Sequence, residues 1–306
     1  MEKRKRKGRW LRRLLRILII VIGLIISGCF VVDHFYQFRR SDDEMKQLFA
    51  EQHIDANINY YTTQGRRLRY IAAGNDSLPT LLFLHGSPGS ISYYGRRFID
   101  SSLKDHFRFF AVDRPGYGYS GFGDPEPSIQ KQSEMIRPIL DSLHTPKHPI
   151  IIVGSSYGAS VACRLAMDHP ELVDGLVLTG PAIGPGRERY FGITPVIEHW
   201  SMRWFIPRCF RSANTEKIHH KKELEAMLPY WKNIRVPVYY LQGISDDIVD
   251  TSNASFARDQ LINVPSLEIK FLTGRKHLLA RYEWQAIKQA ILEIYHKTGY
   301  RKPNAR

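Results

Sequence analysis

Residues 150–167 join four β-branched side chains (Ile150, Ile151, Ile152, Val153) to Gly154-Ser155-Ser156-Tyr157-Gly158 and then to a helix-like stretch, 159–167. A G-x-S-x-G pattern alone is weak evidence, but between a strand and a helix it demands one local shape. The backbone at Ser156 must bend sharply enough to lift its hydroxyl above the end of the strand. That bend forces the residues two before and two after it together, so both must lack bulk, as Gly154 and Gly158 do. The helix start beneath it adds a field that favours an oxyanion. Ser156 is therefore the candidate nucleophile.

From about residue 60 the chain alternates two kinds of segment. Apolar, β-rich runs occur at 68–72, 81–84, 107–112, 150–153, 176–178, 238–241 and 267–271. Helical patterns lie between most of them, near 94–104, 128–143, 156–168, 251–262 and 282–297. This alternation predicts an α/β fold, a mostly parallel, doubly wound sheet with helices on both faces. A chain of 306 residues with 43% hydrophobic side chains can bury one such core. Residues 180–237 break the rhythm and are too long for an ordinary connection, which predicts a helical insertion. It carries Tyr190, Phe191, Trp200, Trp204, Phe205, Phe210, Tyr230 and Trp231. These aromatics either line an apolar pocket or give the insertion a small core of its own.

A second loop sits where an oxyanion hole needs it. The strand at 81–84 runs into His85-Gly86-Ser87-Pro88-Gly89-Ser90, where glycine and proline can turn a backbone N–H toward the nucleophile. The amides of Ser87 and Tyr157 are the candidate donors, each worth ~3–4 kcal/mol to a tetrahedral oxyanion. His85 and Gly86 shape the loop.

Over residues 58–298 the chain resembles the α/β-hydrolase superfamily. The resemblance rests on HGSPGS at 85–90, DRPGYGYS at 113–120, GSSYG at 154–158, QGISDD at 242–247 and RKH at 275–277, in that order. It implies a triad of serine, acid and histidine in chain order, with the insertion at 180–237 as the family's cap. A serine hydroxyl is a poor nucleophile at neutral pH and needs a base, which in turn needs an orienting carboxylate. The resemblance places the acid just after the strand at 238–241, at Asp246, with Asp247 as its rival, and the base at His277. Asp113 matches a loop of the family and fixes the turn after a strand. Serine in HGSPG stands where aminopeptidase-type relatives carry glycine, so peptidase specificity is not implied. Epoxide hydrolases and haloalkane dehalogenases of the superfamily carry an aspartate at the elbow, whereas Ser156 points to acyl transfer.

The formal charge of +14 suggests a nucleic-acid or membrane-surface protein until its location is read. Residues 1–16 hold nine basic side chains against Glu2, and the last ten residues add four more, leaving the body nearly neutral. A nucleic-acid partner is therefore not expected. Residues 17–32 carry no charge and would span roughly 24 Å as a helix, with Arg16 and Phe35, Tyr36 and Phe38 able to extend it. Basic charge ahead of an apolar span predicts a cytoplasmic N-terminus and an exported body. Ile26-Ser27-Gly28-Cys29 also resembles a lipoprotein processing site, which would leave a lipidated Cys29. A cleaved secretory signal is the third reading, though no A-x-A-like site stands out.

The expected organisation is a basic cytoplasmic segment at 1–16, a transmembrane or signal-anchor helix at 17–38 and a linker at 39–58 with a short helical pattern near 44–52. The hydrolase domain follows at 59–298, then a basic tail at 299–306. No phosphate loop, dinucleotide fingerprint or zinc spacing occurs, so no cofactor and no metal are expected. The expected activity is a membrane-tethered serine hydrolase acting on a small-molecule, hydrophobic acyl substrate. An acyltransferase or thioesterase on the same residues, and a non-catalytic binding protein of the same fold, are the alternatives.

Overall fold

Each strand of the sheet alternates its side chains between two apolar layers, because successive residues of a strand point to opposite faces. Ile150 and Ile152 enter one layer with Leu82, Leu176 and Val238. Ile151 and Val153 enter the other with Leu81, Val177 and Tyr239. A strand buried on both faces loses the polar–apolar alternation and becomes continuously apolar, which is why these segments stand out in the sequence.

The computed structural model describes residues 2–94, 100, 102–187, 192 and 194–300. Eight strands form one sheet: β1 (Ala56–Thr63), β2 (Arg66–Ala73), β3 (Thr80–Leu84), β4 (Arg108–Val112), β5 (Ile150–Ser155), β6 (Gly175–Thr179), β7 (Val238–Gly243) and β8 (Leu267–Leu272). Their order is β1-β2-β4-β3-β5-β6-β7-β8. β1 and β2 pair antiparallel, as do β2 and β4, and all other neighbours are parallel.

Nine α-helices are described: α1 (Glu2–Phe35), α2 (Asp42–Glu51), α3 (Ile129–Leu143), α4 (Tyr157–Asp168), α5 (Thr194–Glu198), α6 (Arg208–Met227), α7 (Asn253–Gln260), α8 (Leu279–Tyr282) and α9 (Trp284–Lys297). α3 and α4 cover one face, and α2 and α9 the other. Between β6 and β7 the insertion is helical, with α5, the short 3₁₀ turns Arg203–Phe205 and Leu228–Asn233, and the long α6. The helix expected near 94–104 lies largely outside the described residues, as do Tyr190, Phe191 and residues 301–306 of the tail.

Three expectations change. Residues 39–58 are more than a linker: the helical pattern near 44–52 is α2, which begins with a capping box between Ser41 and Glu44 and buries Met45, Leu48 and Phe49 on the sheet. The sheet then starts at Ala56, ahead of residue 59. The apolar helix is also continuous from the basic segment, and Arg12–Phe35 is a stretch of 24 residues long and apolar enough to cross a membrane, with none of it buried. It ends at Phe35, so residues 36–38 lie beyond it.

Candidate active site

The junction of β5 and α4 places Ser156. Its φ of +52° lies in the left-handed region that a side chain ordinarily avoids. Strain of this kind persists only where neighbours over-determine it. Here a Cβ on Gly154 would come within 2.7 Å of the Ala159 Cα, and one on Gly158 would strike the carbonyl oxygens of Leu84 and His85. Both positions are closed to any larger residue, so the bend and the two glycines require each other.

Asp246 follows β7, and His277 follows β8. His277 Nδ1 donates to Asp246 Oδ2 at 2.8 Å. The other carboxylate oxygen accepts from the amides of Ile248 and Val249 at 2.9 and 2.8 Å. Burial acts to raise the Asp246 pKa, but the His277 hydrogen bond and charge and those two amides outweigh it, leaving the carboxyl below its ordinary value. Asp247 points elsewhere: it is exposed and pairs with Lys276 at 3.0 Å. Of the two candidate acids, Asp246 is therefore the one joined to the histidine.

Ser156, His277, Gly86 and Ser87 all line one open cleft of about 1040 Å³. Gly86 packs closely on Ser156, since a Cβ there would sit 3.0 Å from the Ser156 Cβ. His85 is fully buried. Its Nδ1 donates to the Gly86 carbonyl at 2.7 Å and its Nε2 accepts from the Arg114 amide at 2.9 Å. Burial, reinforced by the Arg114 charge, holds its pKa well below the ordinary histidine value, so the ring is a neutral brace. Tyr157 opens α4, and its ring stacks on His220 of the insertion. Asp113 accepts from the amides of Ile91 at 2.7 Å and Tyr119 at 3.0 Å, which binds two loops together.

Several residues at the site escaped the sequence reading. Gly180, φ +52°, leaves room for the His277 ring, and a Cβ there would lie 3.1 Å from its Cε1 and Nδ1. Arg114 and Glu216 form a fully buried ion pair at 2.6 Å beside the loop that carries His85 and Gly86. Arg114 also donates to the carbonyls of His85 at 2.8 Å and Gly86 at 3.1 Å. Tyr117 donates to Glu216 at 2.6 Å and accepts from the Ser87 hydroxyl at 2.7 Å. Glycine at the end of an apolar strand was a usable signal for Gly180. Residues 114 and 216 are too far apart in sequence to signal each other.

Among the described residues, the insertion's aromatics are absent from the cleft lining. Of those described, Trp231 is fully buried, while Trp200 and Trp204 are 75% and 80% exposed. Part of the cleft wall comes instead from the last residues of the apolar helix, His34 and Phe35, and from residues 37–40 just after it. Among the described residues, no group of three or more His, Cys, Asp or Glu side chains is placed to hold a metal ion.

A family model described as the alpha/beta hydrolase fold matches residues 79–199. The chain is 32% identical over 211 residues to epoxide hydrolase 1 of Caenorhabditis elegans, covering 65% of this chain and 48% of that protein. It is 29% identical over 136 residues to a 1-acylglycerol-3-phosphate O-acyltransferase of Arabidopsis thaliana, covering 42% of this chain and 32% of that one. The chain thus spans about half or less of the length of the curated relatives it matches. Among solved structures, a membrane phospholipase A described as a bacterial virulence factor superposes with a TM-score of 0.61 at 16% identity, covering 97% of this chain and all of that one. At that identity the likeness is one of fold.

Proposed function

Because the chain belongs to the α/β-hydrolase superfamily, we propose that it is a membrane-tethered serine hydrolase that cleaves an ester or related acyl bond. The observation that carries this reading is the pairing of Asp246 with His277 at 2.8 Å on the rim of the cleft that holds the strained Ser156. The Ser156 hydroxyl attacks the acyl carbonyl while His277 takes its proton. Asp246 holds the histidine in the tautomer whose Nδ1 carries hydrogen and stabilises the imidazolium. The amides of Ser87 and Tyr157 receive the oxyanion. Collapse expels the leaving alcohol, protonated by His277, and water then releases the acyl group by the same steps in reverse roles.

Serine at the elbow separates this chemistry from that of the epoxide hydrolase relative, whose class the resemblance associates with an aspartate nucleophile. The apolar helix supplies the tether, and the basic residues ahead of it orient the N-terminus to the cytoplasm. Turnover of a p-nitrophenyl ester series tests the reading. Burst release of p-nitrophenol by the wild type, lost in Ser156→Ala, is expected; undiminished turnover by that variant overturns it.

The similarity to a 1-acylglycerol-3-phosphate O-acyltransferase favours one second reading, in which the acyl-enzyme passes to an acceptor other than water. Adding lysophospholipid during turnover distinguishes them, since a transferase forms the acylated lipid in preference to free acid.

A further inference from the structure

The end of the apolar helix is built into the catalytic cleft. Residues 34, 35 and 37–40 line it, and the segment is fastened on two sides. Toward the cap, Arg208 donates from Nη2 to Asp33 at 2.8 Å, and its backbone amide donates to the other carboxylate oxygen at 2.7 Å. The Cys209 thiol donates to the Tyr36 carbonyl, and the Tyr36 and Phe38 rings pack on Phe210 with centroids 5.7 and 5.8 Å away. Toward the body, Ser90 donates to the Phe38 carbonyl at 2.6 Å and Arg39 to the Gly118 carbonyl at 2.8 Å. Wherever the apolar helix lies, the mouth of the cleft is held beside its end.

The cap carries an independent sign of the same neighbour. The turn Arg203–Phe205 packs against α1, so the exposed rings of Trp200, Trp204 and Phe205 continue the exposed apolar surface of that helix. Indole rings, apolar with one N–H donor, favour the boundary between lipid and water. Arg203, Arg208 and Arg211 lie along the same edge, with Asp33 between them. Guanidinium groups match phosphate geometry.

We propose that the cap face bearing Trp200, Trp204 and Phe205 sits in the head-group layer of the bilayer that holds the apolar helix, and that the cleft draws a lipid ester directly from that bilayer. This rests on the membrane-tethered hydrolase reading above. Trp200, Trp204 and Phe205 then act outside the cleft: they hold its mouth against the lipid.

The test uses the full-length protein in nanodiscs of phosphatidylcholine and phosphatidylglycerol. The fluorescence lost on Trp204→Phe reports Trp204. Quenching of that component by lipids carrying a shallow nitroxide, with protection from aqueous iodide, is expected. Quenching by iodide alone overturns the proposal, and shielding from both assigns the face to a second copy or another protein and overturns it too. This readout is independent of Ser156 chemistry, so its failure leaves the hydrolase reading standing, and failure of ester turnover leaves the docking result standing. The joint variant Trp200→Ser, Trp204→Ser, Phe205→Ser gives the functional arm. Turnover of a bilayer-embedded long-chain ester should fall by about fivefold or more while a soluble short-chain ester stays within about twofold. Equal effects on both substrates contradict delivery from the bilayer.

Discussion

Arg114 and Glu216 meet at 2.6 Å with both side chains wholly buried, tying the cap helix α6 to the loop over Ser156. Removing one partner of such a pair strands the other charge. Gln132, which donates to Glu216 at 2.8 Å and accepts from Arg114 at 2.8 Å, completes the cluster. Glu216→Gln should cost about 3–5 kcal/mol, seen as a melting temperature lower by about 10 °C or more. A melt indistinguishable from the wild type contradicts this account of the cap contact.

Gly86→Ala would place a methyl group 3.0 Å from the Ser156 Cβ. The expected outcome is a fall in kcat of about tenfold to a hundredfold, since the reacting carbonyl is displaced, with little change in melting temperature. Steady-state kinetics beside a thermal melt checks both halves.

The Asp246 carboxyl sits below its ordinary value when folded. Its ionised form therefore contributes stability that is present above the unfolded pKa and lost as pH falls through the folded one. Comparing denaturant midpoints of wild type and Asp246→Asn, the wild-type advantage should hold near neutrality and shrink below about pH 4. An advantage that grows on acidification contradicts the assignment. At neutral pH the same variant should lose about ten-thousandfold in kcat, because the histidine tautomer is no longer fixed.

Asp33→Asn weakens the tie between the helix end and Arg208, which is partly exposed. A rise in KM of a few fold with kcat nearly unchanged is expected for a soluble ester, because the segment shapes the cleft without touching the proton-transfer groups. Loss of kcat alone would contradict that role.

Most of the sheet was legible because seven of its strands carry apolar runs, and five of them, β3 to β7, are buried along their whole length. β1 was not: Asn57, Asn59 and two threonines dilute a strand that lies at the sheet edge, half-buried along most of its length. The capping box of α2 stood in the sequence at Ser41 and Glu44, yet only the fold shows Met45, Leu48 and Phe49 buried beneath the sheet. Ser156 was legible because a strained turn needs two glycines at fixed offsets. The resemblance favoured Asp246 and kept Asp247 as its rival, and only the fold shows which of the two adjacent carboxylates faces His277. The cleft wall at 34, 35 and 37–40 had no signal as such, because the end of an apolar helix and the residues after it read locally as an exit and their partners lie far along the chain.

The central claim is that Ser156 is an activated nucleophile. Treating the full-length protein with a fluorophosphonate and mapping the adduct by mass spectrometry tests it most directly. The account predicts one adduct, on the peptide carrying Ser156, and none in Ser156→Ala. An unlabelled wild type, or a Ser156→Ala variant labelled to the same extent, would contradict it.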